Sequence, residues 1–334
     1  MKASVCPKYG LPDVLSLKQV KKPTPKDDEA LIKVYATTVN RTDLAILQGT
    51  PYLMRLATGL SKPRLAITGT DFAGQIEAVG KNLTCFKVGD RVMGFGGIGL
   101  QSHAQYMVLS QTKGIVTVPD GLTYEQAAAC VEGAFYAACG TTRLKPKPGQ
   151  KALVYGATGA IGSSTVQILK HYGVYVTAVC AGENTELVKS LGADKIIDYT
   201  REDFTKDDER YDFVFDAVGK VSFAKCKKLM KKKGIYSWSD GLENILLALI
   251  TPLFGGKKVV FFPPSNIRGE LNFIKGLVEK GSFRPVIDRT YPLDKIAEAF
   301  TYVASGQKIG NVIITFEENN LSSFTTPNVT NAQL

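Results

Sequence analysis

The chain has 334 residues, of which 44% are hydrophobic and 22% charged, and it carries a formal net charge of +10. That composition belongs to a globular protein, and the length exceeds what one compact core usually holds, so two domains are predicted. The longest apolar run, residues 245–250, meets Thr251 and Pro252 far short of a membrane span, and the opening Met-Lys-Ala-Ser-Val-Cys-Pro has no signal-like apolar stretch. The positive charge would attract a phosphorylated cofactor, nucleic acid or a membrane surface. No aromatic interleaving or zinc-finger spacing accompanies it, which favours a solvated basic surface. Six scattered cysteines without a C-x-x-C pair suit a reducing compartment, with the cytoplasm as the expected location.

Through residue 120 the chain is rich in glycine, proline and β-branched residues. Strands are predicted at 30–35, 74–79 and 91–93, with turns such as Val88-Gly89-Asp90-Arg91 between them, and the whole reads as a β-rich domain. The pattern changes near Pro119-Asp120-Gly121, where Thr123 is placed to cap a helix over 124–129 with Glu125 and Gln126 in its first turn. From Gln150 onward strands and helices alternate, with strands at 152–155, 174–179, 195–197, 213–215, 234–237 and 258–262. That alternation predicts an α/β fold with a parallel, doubly wound sheet. Lysines crowd residues 225–233 around Leu229 and Met230 and read as a surface helix closed by Gly234. A helix at 293–304 and a strand at 311–316 follow, and the polar tail from Glu317 to Leu334 is expected to be disordered.

The most informative stretch is Gly156-Ala157-Thr158-Gly159-Ala160-Ile161-Gly162, which joins a short apolar strand to a helical pattern. In such a turn a dinucleotide pyrophosphate rests on bare backbone N–H groups at a helix N-terminus, and glycines keep Cβ atoms out of its way. Ala157 stands where the first glycine of the usual spacing falls. Residues Ala157, Thr158, Gly159, Ala160, Ile161 and Gly162 are therefore the candidate cradle; an ordinary tight strand-to-helix turn is the bland alternative. The next strand ends at Cys180, where an acid would normally grip the ribose hydroxyls. A neutral residue there favours NADPH and leaves NADH possible. Tyr199, Lys189 and Arg201 are candidate phosphate or adenine partners, each equally readable as solvated surface.

Six motifs in order give the chain a family likeness. They are Val39-Asn40-Arg41-Thr42-Asp43, Gly69-Thr70-Asp71-Phe72-Ala73-Gly74, Val88-Gly89-Asp90-Arg91-Val92, the glycine turn, Asp212-Phe213-Val214-Phe215-Asp216-Ala217-Val218-Gly219, and Gly310-Asn311-Val312-Ile313. The chain resembles the medium-chain dehydrogenases/reductases, and within them the zinc-free quinone oxidoreductase (zeta-crystallin-like) branch. The resemblance implies a GroES-like catalytic domain at 1–120, completed by 280–316, around a Rossmann domain at 121–279. It also implies a homodimer joined through the strand at 257–262. Asn40 and Thr70 would face the nicotinamide and substrate, and Tyr52 would be a substrate-side phenol, with core packing equally open. Lys308 and Asn311 would reach the cofactor, while Asp43 and Asp71 would orient neighbours. Tyr136 replaces a threonine that many relatives use near the nicotinamide, and Glu183 stands where many NADPH users carry a base.

Zinc-dependent members of the superfamily hold their metal with a cysteine near Arg41, a histidine at Thr70 and a cysteine within 131–134. None of these stands here, so no metal site and no zinc are expected. Without that Lewis acid, the resemblance implies hydride transfer to an already electron-poor acceptor, a quinone or an α,β-unsaturated carbonyl. Two alternatives stay open: a reductase or dehydrogenase of another carbonyl or alcohol, and a nucleotide-binding interaction or RNA-binding protein. Neither a membrane nor nucleic acid is an expected partner.

Overall fold

The computed structural model describes residues 1–238 and 243–316; the tail at 317–334 expected to be disordered lies outside them. The first strands, β1 (Lys2–Val5) and β2 (Ser16–Gln19), form a small antiparallel ribbon. Then come β3 (Glu29–Val39), helix α1 (Arg41–Gln48), the single turn α2 (Arg55–Thr58), β4 (Asp71–Val79), β5 (Arg91–Phe95), β6 (Tyr106–Ser110) and β7 (Gly114–Thr117). Helices α3 (Tyr124–Ala129) and α4 (Glu132–Thr142) lead into β8 (Lys151–Tyr155), α5 (Ala160–His171), β9 (Tyr175–Cys180), α6 (Thr185–Ser190), β10 (Lys195–Asp198) and β11 (Tyr211–Asp216). The chain continues through α7 (Phe223–Cys226), β12 (Met230–Trp238), α8 (Glu243–Ile250), β13 (Lys258–Val260), α9 (Ile267–Glu279), β14 (Ile287–Pro292), α10 (Ile296–Ser305) and β15 (Asn311–Thr315).

Six strands form a wholly parallel sheet in the order β10-β9-β8-β11-β12-β13. Their sequences are continuous apolar runs, Ala152-Leu153-Val154 and Phe213-Val214-Phe215 among them, because helices cover both faces. Strand order reverses between β8 and β11, the place where doubly wound sheets bind ligands. The other large sheet runs β14-β15-β3-β4-β5-β7, with β6 also paired to β3. Here β15 lies antiparallel to β3, Ile313 opposite Thr38, so the end of the described chain returns to the sheet that its beginning built. A shared core that includes Phe95, Phe135, Ile274 and Leu277 packs α4 and α9 against the sheet that contains β3, β4 and β5.

Local chemistry accounts for most boundaries. Thr123 caps α3 as its sequence requires, exchanging bonds with Gln126 at 3.2 and 3.0 Å. The lysine-rich run departs from expectation. Instead of one helix it forms the single turn α7 and a 3-10 turn, and then enters β12. Cys226, Leu229 and Met230 are buried, and Met230 pairs with Tyr211 of β11, so sheet pairing overrides helical propensity here. Strand β13 stops at Val260, short of Phe262, as Pro263 and Pro264 approach.

Candidate active site

The glycine turn lies at the carboxyl end of β8, at the switch point. Its own backbone bonds decide which amides are free: Gly156 and Ala157 donate to the Val179 carbonyl, and Gly159 donates to Gly156. Gly159 is the N-cap of α5 and offers no side-chain cap, so the opening N–H groups of α5, from Ala160 onward, have no partner in the helix. A Cβ on Gly162 would sit 2.1 Å from the Gly156 carbonyl, so only glycine lets helix and strand meet. A Cβ on Gly159 would clear its nearest neighbour by 3.7 Å, and that side opens into a cavity of about 600 Å³. Uncapped amides, the helix dipole and open space together fit a dinucleotide's diphosphate. The far wall of the cavity comes from Asp216 at the end of β11 and from Ala217 and Val218 after it. Asp216 shapes that loop by accepting from the N–H groups of Val218, Gly219 and Val221 at 2.9–3.1 Å.

The opposite wall begins with Asn40, the N-cap of α1. Its Oδ1 accepts from Asp43 N–H at 2.8 Å, while its Nδ2 donates to Thr70 Oγ1 at 2.8 Å and to Thr38 Oγ1 at 3.2 Å. Asn40 lines the cavity; Thr70 is wholly buried behind it and holds it in place. Asp71 is equally buried and accepts from the Thr38 N–H (2.8 Å) and from the hydroxyls of Thr38 (2.6 Å) and Thr37 (3.1 Å). Burial pushes its carboxyl up to about 6 against those bonds. Burial, with the charges of Asp71 and Glu132, holds the Asp43 carboxyl well above the usual carboxylate range. Both acids sit where they orient neighbours.

Tyr52 is 75% exposed, its ring under the Arg55 guanidinium at 4.6 Å and outside the cavity, which its neighbours Thr50, Pro51 and Met54 line. It is neither a cavity phenol nor core packing, because a 3-10 turn carries it outward. Asn311 also departs from expectation. Its amide donates to the carbonyls of Ala129 (3.2 Å) and Val286 (3.0 Å), which occupies it as a tether inside the protein. Lys308 does line the cavity, with its Nζ donating to the Gly310 carbonyl at 2.6 Å; burial lowers its pKa.

At the carboxyl end of β9, Tyr199 donates its N–H to the Cys180 carbonyl at 3.2 Å, so the two candidates meet at the carboxyl edge of the sheet. The Cys180 thiol is buried, and burial with the nearby Asp198 charge pushes it up to about 11. Asp198 stands opposite Cys180 in the ladder, 3.5 Å from Arg201. It is an acid that attention to the end of β9 alone misses.

The histidines are a buried packing residue, His103, and an exposed one, His171. His103 is buried, its Nε2 donating to the Thr38 carbonyl at 2.9 Å and its Nδ1 accepting from Thr68 at 2.7 Å. His171 lies edge-on to Tyr172 and Phe273. The apolar helix residues 244–254 do not line the cavity; Trp238, Phe261 and Phe262 do. Also missed was Glu132, which opens α4, faces the cavity and accepts from the Thr42 hydroxyl at 2.8 Å. Its signal was present, since it is the sole charged residue between Glu125 and Arg143. Among the described residues, no group of three or more His, Cys, Asp or Glu is placed to hold a metal ion, and no helix is long and apolar enough to cross a membrane.

Comparison with known proteins agrees with this geometry. Residues 26–120 match the alcohol dehydrogenase GroES-like domain family and residues 191–314 the zinc-binding dehydrogenase family. The NADPH-dependent alkenal/one oxidoreductase of Arabidopsis thaliana is 32% identical over 94% of this chain and 79% of its own length. The quinone-oxidoreductase QR1 of Triphysaria versicolor is 29% identical over 87% and 91%. In fold, the quinone oxidoreductase of Coxiella burnetii superposes with a TM-score of 0.85 at 24% identity, covering 95% of this chain and 99% of that one. The chain belongs to the medium-chain dehydrogenase/reductase family, in its zeta-crystallin-like quinone oxidoreductase branch.

Proposed function

We propose that this chain is an NAD(P)H-dependent oxidoreductase that reduces quinones or α,β-unsaturated carbonyls, prefers NADPH and works without zinc. The observation that carries the reading is the uncapped start of α5 opening, beside Gly159, into a cavity at the strand-order switch point. The two relatives named for alkenals and alkenones and for quinones support the substrate class. In this reading Thr158, Gly159, Ala160 and Ile161 meet the diphosphate, while Ala157 and Gly162 give the turn its shape. Cys180 and Tyr199 border the adenosine. Asn40 and Lys308 border the nicotinamide end, with Thr70 fixing Asn40 from behind. The bound nicotinamide supplies the hydride. The acceptor delocalises the arriving charge onto its own oxygen, so the protein's task is to hold both partners in register and keep water out.

Zinc independence rests on residue identity. Arg41 is a cation, the Thr70 hydroxyl is bonded to Asn40, and the stretch 131–134 offers only Glu132, which do not make a three-ligand set. The return of β14 and β15 to the first sheet supports a catalytic domain of 1–120 with 280–316 around a dinucleotide domain of 121–279. The position of β13 at the edge of its sheet, beside exposed Leu246, Leu249, Leu253 and Phe254, supports a homodimer joined there. Six free cysteines support a reducing compartment, for which the cytoplasm is our reading.

A steady-state panel tests the function. Oxidation of NADPH and of NADH is followed with a quinone, an enone, an aldehyde and an alcohol, with and without a chelator. Turnover of a quinone or an enone, faster with NADPH and indifferent to chelator, is expected. Turnover confined to the aldehyde or alcohol, or lost on chelation, overturns the reading.

A further inference from the structure

Reduction of a quinone or enone needs a proton as well as a hydride, and the cavity wall contains a buried carboxyl, Glu132. Glu132 is 6% exposed, lines the cavity and is held through Oε1 by the Thr42 hydroxyl at 2.8 Å. Its position is rigid, because a Cβ on the next residue, Gly133, would sit 2.6 Å from the Ala160 Cβ at the start of α5. Glu132 is thereby locked beside the turn that would hold the cofactor. Lys308 enters the same cavity from the closing segment of the catalytic domain.

We propose that Glu132 is the acid that completes the reduction, a role resting on the reductase reading above. Hydride addition to the β-carbon of an enone, or to a quinone, moves the acceptor's π electrons onto its oxygen and gives an enolate or hydroquinone anion. The Glu132 O–H bond then breaks, and its proton goes to that oxygen or to the α-carbon. Glu132 is left as a carboxylate that takes a proton back from solvent before the next turnover. The products are the reduced acceptor and the oxidised nicotinamide, and the two electrons come wholly from the dihydronicotinamide.

The surroundings suit an acid that is proton-loaded near neutrality. Burial and then the Asp71 charge push the Glu132 carboxyl up to about 7, against the Thr42 bond and the Lys308 charge. The other ionisable groups around it are Arg41 and Asp43 of α1, Tyr136 of α4 and, beyond Lys308, Asp288.

The test compares the wild type, Glu132→Gln and Glu132→Asp as full chains. The glutamine keeps the Thr42 bond but has no proton to give, so kcat should fall about 100-fold or more while cofactor affinity stays the same. The limb of the pH–rate profile near neutrality should vanish, and aspartate should restore part of both. Independently of turnover, the pH-dependent infrared difference spectrum of the wild type minus that of the glutamine variant should leave one carboxyl band titrating near neutrality, the Asp71 and Asp43 bands being common to both. A glutamine variant with wild-type kcat and pH profile, or a subtraction that leaves no such band, overturns the proposal. A wild type inert toward every quinone and enone overturns the reductase reading and this role with it, whereas an active wild type matched by Glu132→Gln overturns this role alone.

Discussion

Gly310 donates its N–H to the carbonyl of Thr158 at 2.7 Å, which ties the start of β15 to the middle of the glycine turn. Gly159 and Gly310 also form an isolated parallel bridge. The two large sheets therefore touch through backbone at the point where the diphosphate would lie. Lys308, two residues upstream, enters the cavity because of that contact.

That contact requires glycine. Gly310 has φ +65°, and a Cβ there would lie 2.2 Å from the Val286 carbonyl. Gly310→Ala should destabilise the chain by about 1–3 kcal/mol, lowering Tm by about 2–4 °C for each kcal/mol. It should also raise the cofactor Kd, since the turn loses its brace. Scanning calorimetry and fluorescence titration measure both, and a variant with unaltered Tm would show that the close approach is not restrictive.

Gly159 offers the opposite case. Its Cβ has room, and aspartate is a good N-cap, so Gly159→Asp should leave the fold intact or strengthen α5 by about 0.3 kcal/mol. The same carboxylate would occupy the amides meant for the diphosphate and repel it. The NADPH Kd should therefore rise about tenfold or more, a penalty of ~1.4 kcal/mol or greater. Stability rising while affinity falls separates this site from a merely structural turn. Unchanged affinity would remove the cradle from the assignment.

The contrast between these two glycines shows what sequence could and could not reveal. The parallel strands were legible because each is a short apolar run bounded by turns, and the glycine spacing marked the switch point. Partner choice was not legible. Asn40 and Thr70 were found as a pair, yet only the fold shows that one lines the cavity and the other is buried behind it. Asn311 sits in a motif but spends its amide on Ala129 and Val286, contacts 182 and 25 residues away in sequence. Tyr52 turns outward on a local 3-10 turn, and Glu132 was overshadowed by the helix it begins. In each case the deciding contact is long-range or depends on which way a turn faces.

Cofactor choice should depend on the edge where Cys180, Tyr199, Asp198 and Arg201 gather. Arg201 is exposed and has a carboxylate within 3.5 Å, so it is available to exchange that partner for a 2′-phosphate. Arg201→Ala should raise the NADPH Kd about tenfold and leave the NADH Kd unchanged. Added salt should narrow the difference between wild type and variant, as screening weakens the phosphate contact. Equal losses for both coenzymes would mean that Arg201 acts through the loop and does not read the phosphate.

The pH dependence of stability should report His103. Burial depresses its imidazole from the ordinary 6.5 to about 4, so between those values the unfolded chain binds a proton that the folded one refuses. Stability from this group therefore rises with pH across that window, is complete above 6.5 and is lost as pH falls toward 4. The full effect is bounded at about 3 kcal/mol. Asp71 and Glu132 work in the opposite sense, because acids whose values are raised to about 6 and about 7 favour the folded state at lower pH. The absolute curve mixes these contributions, and the informative quantity is the wild type minus His103→Gln. Glutamine keeps one donor for the Thr38 carbonyl and one acceptor for Thr68 without titrating. Urea unfolding at several pH values should show the wild type gaining on the variant as pH rises from the acid side and a constant difference above neutrality. A difference that instead shrinks as pH rises through neutrality would mean that the folded chain holds the imidazole's proton, with the contact 3.9 Å away at Asp43 a true ion pair, and a flat difference would mean that burial does not shift His103 at all.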